Sequence, residues 1–194
     1  MLEQEMKIPV PSLAELRRRL KGRGGTLLQP SALEDNWVLD DKGRTLAAAG
    51  RLLRVRQFAG RSVLTLKGPA SFSAGVKSRT ELETEVGDSE IALQVLATLG
   101  LACVRRYQKR RETWTLAGVT VALDETPMGT FVELEGEPGR LAAAASALDL
   151  DPRRAARGTY LDLWVAYRGE HPEAPPDMVF APGSVPAPPD GTPP

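Results

Sequence analysis

The chain has 194 residues, of which 42% are hydrophobic and 26% are charged, as is typical of one folded domain of ordinary size. Its 25 Lys and Arg residues balance its 25 Asp and Glu residues, so no bulk field favours nucleic acid or an anionic membrane. One cysteine, Cys103, excludes an intramolecular disulfide, and one histidine, His171, argues against histidine catalysis or metal ligation. No apolar run approaches the roughly 20 residues of a membrane span, and no signal peptide is evident, so we expect a cytoplasmic protein.

The first predicted element is a strand that carries Glu3, Glu5 and Lys7 on one face, because side chains alternate along a strand. Carboxylate oxygens suit Mg²⁺ or Mn²⁺, and a lysine suits a phosphate group as a compact point charge. The pattern therefore indicates a site for a metal ion beside a phosphate. The alternative is an ordinary solvated face of an antiparallel sheet.

Four helices are predicted from caps and apolar stripes. The first follows a capping box that begins at Ser12, the second is capped by Asp88 or Ser89 and carries Ile91, Val95, Leu96 and Leu99, and the third is rich in alanine. Their expected spans are Ser12 to Leu20, Asp88 to Leu99, Pro138 to Leu148 and Thr159 to Tyr167.

About eight strands are predicted around these helices, and most are charged on one face and aliphatic on the other. Arg54 and Arg56 share a face, as do Lys109 and Arg111. Trp37 to Leu39 forms a further short strand before an Asp-Asp-Lys-Gly turn. One interpretation is an open sheet with a wet face. The other is a closed barrel with a charged bore and helices outside, favoured by the many arginines and by the separation of basic and acidic strands.

In chain order these motifs resemble the CYTH family, the triphosphate tunnel metalloenzymes. They read Glu-x-Glu-x-Lys, Arg-x-Arg, Thr-x-Lys-Gly, Arg-x-Glu-x-Glu, Lys-x-Arg, and Asp followed by Gly-x-Phe-x-Glu-x-Glu, between Glu3 and Glu135. Thr159-Tyr160 resembles the family's C-terminal Ser-Tyr pair. The resemblance implies an α+β fold, in which an eight-stranded antiparallel β-barrel with a charged bore has helices packed outside. It also implies a triphosphate ligand and Mg²⁺ or Mn²⁺ as cofactor.

The family's functional residues carry over onto matching positions. The implied metal ligands are Glu3, Glu5, Glu133 and Glu135, with Asp124 beside them. The implied phosphate-binding residues are Lys7, Arg54, Arg56, Lys67, Arg79, Lys109 and Arg111. Of all these, Glu5, Lys7, Arg56 and Lys67 are expected to act most directly in catalysis. Two interpretations stay open for Glu81 and Glu83, which either hold a second metal ion or pair with Arg79. Tyr160 either closes one end of the tunnel or is a buried core residue.

The favoured activity is metal-dependent hydrolysis of an inorganic, organic or nucleoside triphosphate. A class IV adenylyl cyclase is an alternative, although the His-Phe pair that precedes the first Glu in those cyclases is replaced here by Met1-Leu2. A thiamine triphosphatase would need a stacking surface, for which the candidates are Trp37, Trp114, Phe58 and Phe72. The last alternative is a triphosphate- or polyphosphate-binding module without catalysis.

The globular domain is expected to span residues 1–168. The segment 169–194 holds 9 of the 16 prolines and is expected to be extended or disordered, although Met178 to Phe180 could dock on the domain. The expected partner is a small-molecule triphosphate, with neither nucleic acid nor a membrane, and the protein is expected to be a monomer or a homodimer.

Overall fold

The computed structural model describes residues 2–73 and 75–183, and its central feature is a closed β-barrel. Eight antiparallel strands follow one another in the order β1-β9-β8-β7-β2-β3-β4-β6, and β6 pairs back with β1. The short β5 extends the sheet along β6. The strands are β1 (Leu2–Pro9), β2 (Thr26–Asp40), β3 (Leu52–Phe58), β4 (Arg61–Lys67), β5 (Ser71–Ser73), β6 (Val76–Val86), β7 (Ala102–Leu116), β8 (Val119–Thr126) and β9 (Gly129–Glu135). The predicted barrel is therefore confirmed.

Closure depends on the length of β6. Its first half pairs with β1, where Glu3 lies opposite Arg79, and its second half pairs with β4, where Lys67 lies opposite Glu81. One strand thus joins the two ends of the sheet, and the edges that an open sheet would expose are paired.

The helices lie outside the barrel. They are α1 (Leu13–Gly22), α2 (Thr45–Ala48), α3 (Ser89–Thr98), α4 (Pro138–Ala147) and α5 (Tyr160–Glu170), with a 3₁₀ turn at Pro152–Arg154. The four predicted helices are confirmed, and the predicted caps Ser12 and Asp88 accept hydrogen bonds from the first turns of α1 and α3. The single turn α2 was not predicted. No helix in the described residues is long and apolar enough to cross a membrane.

The main apolar core lies between the barrel and the helices, not inside the barrel. Met6 and Ile8 alternate with the charged residues of β1 and are buried against α1 and α4. Leu134 is buried in the same way between Glu133 and Glu135 of β9. A strand that turns its charges inward must turn its aliphatic residues outward, so the helices are needed to cover them.

Two sequence predictions need correction. The strand predicted at Trp37 to Leu39 is the end of the 15-residue β2, whose earlier part contains Pro30 and register shifts against β7 and so lacks clean alternation. The apolar stripe predicted for α3 is also wrong in part. Leu93 and Leu96 pack against the buried cluster of β2 and β3, whereas Ile91, Val95 and Leu99 are 60%, 54% and 72% exposed.

The segment after α5 folds back onto β7. Met178 is fully buried, its carbonyl oxygen accepts a 2.7 Å hydrogen bond from the Gln108 amide, and the Phe180 amide donates to the Gln108 side chain at 3.2 Å. The predicted docking of Met178 to Phe180 is confirmed. Folded contacts therefore extend beyond the predicted boundary at residue 168, while residues 184–194 of the predicted extended or disordered tail lie outside the described residues.

We expect Leu134→Ala to lower the free energy of unfolding by about 2–5 kcal/mol, because it opens a cavity in a close-packed core. Leu82→Ala on β6 is the control, since Leu82 is 67% exposed, and it should change stability by no more than about 0.5 kcal/mol. Urea unfolding followed by circular dichroism measures both values. Equal losses would contradict the burial of Leu134 in a core between the barrel and the helices.

Candidate functional site

A polar cavity of about 200 Å³ lies inside the barrel and is lined by residues of six of the eight barrel strands. It contains eight basic and six acidic side chains. The basic residues are Lys7, Arg54, Arg56, Lys67, Lys77, Arg79, Lys109 and Arg111, and the acidic residues are Glu3, Glu5, Glu81, Glu83, Glu133 and Glu135. The apolar and hydroxyl-bearing lining comes from Leu52, Tyr107, Thr159, Tyr160 and Leu161.

The two glutamates of β1 are paired with cations from the opposite side of the closure. Glu3 accepts from the Lys67 Nζ at 2.8 Å and from the Arg79 Nε at 3.1 Å. Glu5 accepts from the Lys77 Nζ at 2.7 Å. Because β1 pairs directly with β6, the closing strand supplies two of these three cations.

A second cluster surrounds Asp124, which is completely buried on β8. Arg111 grips its carboxylate through two nitrogens at 2.7 and 2.6 Å, and the Lys109 Nζ lies at 3.2 Å. The Tyr160 hydroxyl donates to the same carboxylate at 2.7 Å. Glu133 then contacts Arg111 and Lys7 from the cavity side. Asp124 therefore holds Lys109 and Arg111 of β7 in place from behind the cavity wall.

The two arginines of β3 face the carboxylates of β6. The Arg54 Nη2 lies 3.7 Å from Glu83 and 3.9 Å from Glu81, and its Nη1 donates to the Tyr107 hydroxyl at 3.0 Å. The Arg56 Nη2 lies 3.6 Å from Glu83. These contacts are longer than those of Arg111, so the guanidinium groups of β3 are held less tightly by their neighbours.

The first turn of α5 lies against the cavity. Thr159 caps the helix in a capping box with Asp162, which fixes where the helix begins. The Tyr160 ring then lies 4.1 Å from the Lys7 Nζ and 4.8 Å from the Lys109 Nζ, and it packs edge-on against Phe131. Tyr160 is thus a buried core residue, as one of the two interpretations from the sequence has it, and it also forms part of the cavity wall.

The acidic side chains divide into two electrostatic groups. Burial opposes the ionisation of Glu133, but Lys109, Lys7 and Arg111 hold its pKa well below the usual value. Glu3 and Glu81 share a hydrogen bond. Burial and the Glu3 carboxylate raise the pKa of Glu81 to about 7, whereas Lys67 and the hydrogen bond from Glu81 outweigh burial and lower the pKa of Glu3 to about 2. Burial, Glu3 and Glu5 also raise the pKa of Glu135.

The raised pKa values of Glu81 and Glu135 mark the part of the cavity where negative charge is least compensated. Glu81 shares a hydrogen bond with Glu3 there, although the Lys67 Nζ also lies 3.0 Å from Glu81. Carboxylate oxygens are the donors that Mg²⁺ and Mn²⁺ prefer. No three acidic side chains in the described residues converge as a ready-made metal site, since lysines and arginines hold Glu3, Glu5 and Glu133. The donor chemistry fits a divalent cation, and binding one requires these ion pairs to be exchanged.

The structure brings the residues predicted from the sequence together in one cavity, and one of them lies deeper in the barrel wall than the others. Thirteen of the fourteen line the cavity, whereas Asp124 lies behind Lys109 and Arg111. Sequence reasoning missed Lys77, although it continues the alternation of Arg79 and Glu81 backward by one step. It also missed Tyr107 and the buried Glu34, which belong to strands that were predicted too short.

The aromatic residues proposed as a stacking surface lie elsewhere. Trp114 is buried in the outer core, and Trp37 contacts Arg106 of β7. Among the described residues that line the cavity, the aromatic ones are Tyr107 and Tyr160. The cavity therefore offers charged groups along its length and little aromatic surface.

Comparison with known proteins places these observations in context. A family model described as CYTH domain matches residues 1–150, and no curated protein sequence matches the chain. A solved structure from Vibrio parahaemolyticus, described as a candidate adenylate cyclase, is 20% identical with a TM-score of 0.77, covering 85% of this chain and 98% of that one. A protein from Pyrococcus horikoshii OT3 is 26% identical, with a TM-score of 0.67 and coverage of 86% and 99%. A candidate adenylyl cyclase from Hippeastrum, described as having a dominant triphosphatase activity, is 21% identical, with a TM-score of 0.66 and coverage of 85% and 96%.

We expect Asp124→Asn to lower the free energy of unfolding of the metal-free protein by about 3 kcal/mol or more, because two buried cations lose their carboxylate. Glu125→Gln is the control from the next position of β8. Its pair with Arg110, at 3.3 Å, lies on the other face of the strand and is partly exposed, so the loss should be about 1 kcal/mol or less. Guanidinium unfolding without metal distinguishes the two, and equal losses would rule out an anchoring role for Asp124.

Proposed function

This chain belongs to the CYTH family, and from the cavity that it carries we propose that it is a divalent-metal-dependent triphosphatase. Proteins of the family bind triphosphate small molecules and generally use divalent cations. The reaction would be the hydrolysis of a phosphoanhydride bond, with inorganic triphosphate as the preferred substrate.

The observation that supports this proposal is that eight basic side chains and six carboxylates line one small cavity. A volume of about 200 Å³ is less than the roughly 300–1,000 Å³ of pockets that enclose drug-sized ligands. A chain of three phosphates is compact and charged along its whole length. A nucleoside or a thiamine group would have to lie outside the charged part of the cavity.

The carboxylates would hold the metal ion. Glu3, Glu5, Glu81 and Glu135 are the best candidates, because Glu81 shares a hydrogen bond with Glu3 and because burial, Glu3 and Glu5 raise the pKa of Glu135. Glu133 could join them after releasing its cations, whereas Asp124 is committed to Arg111, Lys109 and Tyr160, and Glu83 accepts from Thr65. The bound metal would supply Lewis-acid polarisation of a phosphoryl oxygen and neutralise its charge.

The basic residues would bind and orient the substrate. The guanidinium groups of Arg54 and Arg56 can each present a planar fork to phosphate oxygens, while Lys7 and Lys67 act as point charges. Arg111 would add its positive charge while its Nε and Nη2 hold Asp124. Since the lysines are already paired with Glu133 and Glu3, phosphate oxygens must replace those carboxylates. The released carboxylates then become free to ligate the metal ion.

The first experiment measures phosphate release from tripolyphosphate, ATP and thiamine triphosphate, with Mg²⁺ and with Mn²⁺. We expect tripolyphosphate to be hydrolysed with a kcat/KM at least about tenfold above the other two, because it places every charge within the cavity. Cyclic AMP formed from ATP would instead identify an adenylyl cyclase. Preferred turnover of thiamine triphosphate would identify a thiamine triphosphatase, and binding without any turnover would identify a binding module.

Glu5→Gln should reduce metal-dependent turnover by about 100-fold or more, because it removes a carboxylate where the metal is expected to bind. Glu15→Gln on α1 is the control, since Glu15 pairs with Arg19 on the outer surface and should leave turnover unchanged. Thermal unfolding of both variants reports on the fold. Full activity of folded Glu5→Gln would exclude Glu5 as a metal ligand.

A further inference from the structure

Glu34 is a buried acidic residue that has no assigned part in the proposed reaction. Glu34 on β2 is completely buried and is not among the residues that line the cavity. Within the described residues, three buried side-chain atoms lack a hydrogen-bond partner, and they are the Glu34 Oε2, the Asn36 Oδ1 and the Arg54 Nε. All three belong to β2 or the adjacent β3. The buried side-chain atoms that lack hydrogen bonds are therefore concentrated in this one part of the barrel wall.

Glu34 lies behind Lys109 and Arg111, the two cations of β7 that line the cavity. Its Oε1 is 3.5 Å from the Lys109 Nζ, and its Oε2 is 3.8 Å from the Arg111 Nε. The Asn36 amide donates to its Oε1 at 3.1 Å. These contacts to the cations are longer than those of Asp124, which holds the same two side chains at 3.2 Å and 2.6 Å.

Its charge is permanent at physiological pH. Burial opposes ionisation, but Lys109, Arg111, Arg54 and Arg56 lower the pKa of Glu34 to about 2. A fixed negative charge therefore lies one layer behind the cations that would bind phosphate. Six acidic side chains line the cavity, and Glu34 and Asp124 lie behind them, so the total of eight acidic groups equals the number of basic groups that line the cavity.

We propose that Glu34 is a positioning residue that holds Lys109 and Arg111 from behind and lowers the affinity of the tunnel for anions. The inference rests on the proposed function, because it takes these two cations to bind phosphate. Without the opposing charge the cations would retain an anion more strongly, and cleaved phosphate would leave more slowly. A unit charge about 7 Å from a phosphate, at an effective dielectric constant of about 20, changes affinity by roughly 10- to 50-fold.

The test is calorimetric titration of metal-free protein with tripolyphosphate at low ionic strength. Glu34→Gln should lower the Kd for tripolyphosphate by about tenfold or more. In turnover assays it should lower both KM and kcat, a combination that a merely structural defect would not produce. The matched control is Glu112→Gln on β7. Glu112 is also buried, but it pairs with Arg17 and Trp114 outside the barrel, so its replacement should leave the Kd unchanged.

A second variant keeps the test decisive if Glu34→Gln does not fold. Asn36→Asp adds a negative charge to the same cluster and should raise the Kd for tripolyphosphate by about tenfold. Unchanged or weaker binding by folded Glu34→Gln overturns the inference, as does an unchanged Kd for Asn36→Asp. Absence of hydrolysis with both predicted Kd changes intact would overturn the proposed function and leave this inference standing. Normal hydrolysis with unchanged Kd values would do the reverse.

Discussion

Charge pairing inside the barrel is the constraint on which the rest of this structure depends. An ionised group removed from water costs several kcal/mol unless it finds an opposite charge and hydrogen bonds. Lys7, buried beneath the Tyr160 ring, has Glu133, and Asp124 has Arg111, Lys109 and the Tyr160 hydroxyl. Removing one member leaves an uncompensated charge on another, so the residues of the bore are energetically coupled across strands that are distant in sequence.

The same constraint explains the layout of the outside. Filling the inner face of each strand with ionised groups leaves the aliphatic residues of that strand on the outer face, as Met6, Ile8 and Leu134 show. The barrel therefore cannot be stabilised by its own interior in the usual way. It gains its hydrophobic burial from α1 and α4 on one side and from α3, α5 and the segment after α5 elsewhere.

Paired charges also shape how the cavity would bind its ligands. On the proposed function, an anion that enters must compete with carboxylates for the cations, and a metal ion must compete with cations for the carboxylates. Each ligand thereby releases the groups that the other needs, so their binding should be positively coupled and reciprocal. The positions of Asp124 and Glu34, behind the lining residues, separate a fixed set of acids from the set that can exchange partners.

The sequence by itself determined the two-residue alternation of the strands, the caps of two helices and the order of charged motifs. Through its resemblance to the CYTH family, that order implied the barrel and thirteen of its lining residues. Alternation and capping are local, so they can be read from a few neighbouring residues. Only the tertiary structure decided that Glu34 lies under Lys109, that Lys77 meets Glu5, and which face of α3 is buried. Those outcomes depend on register between distant strands and on the docking of a helix that is apolar around most of its surface, and no local pattern specifies either of them.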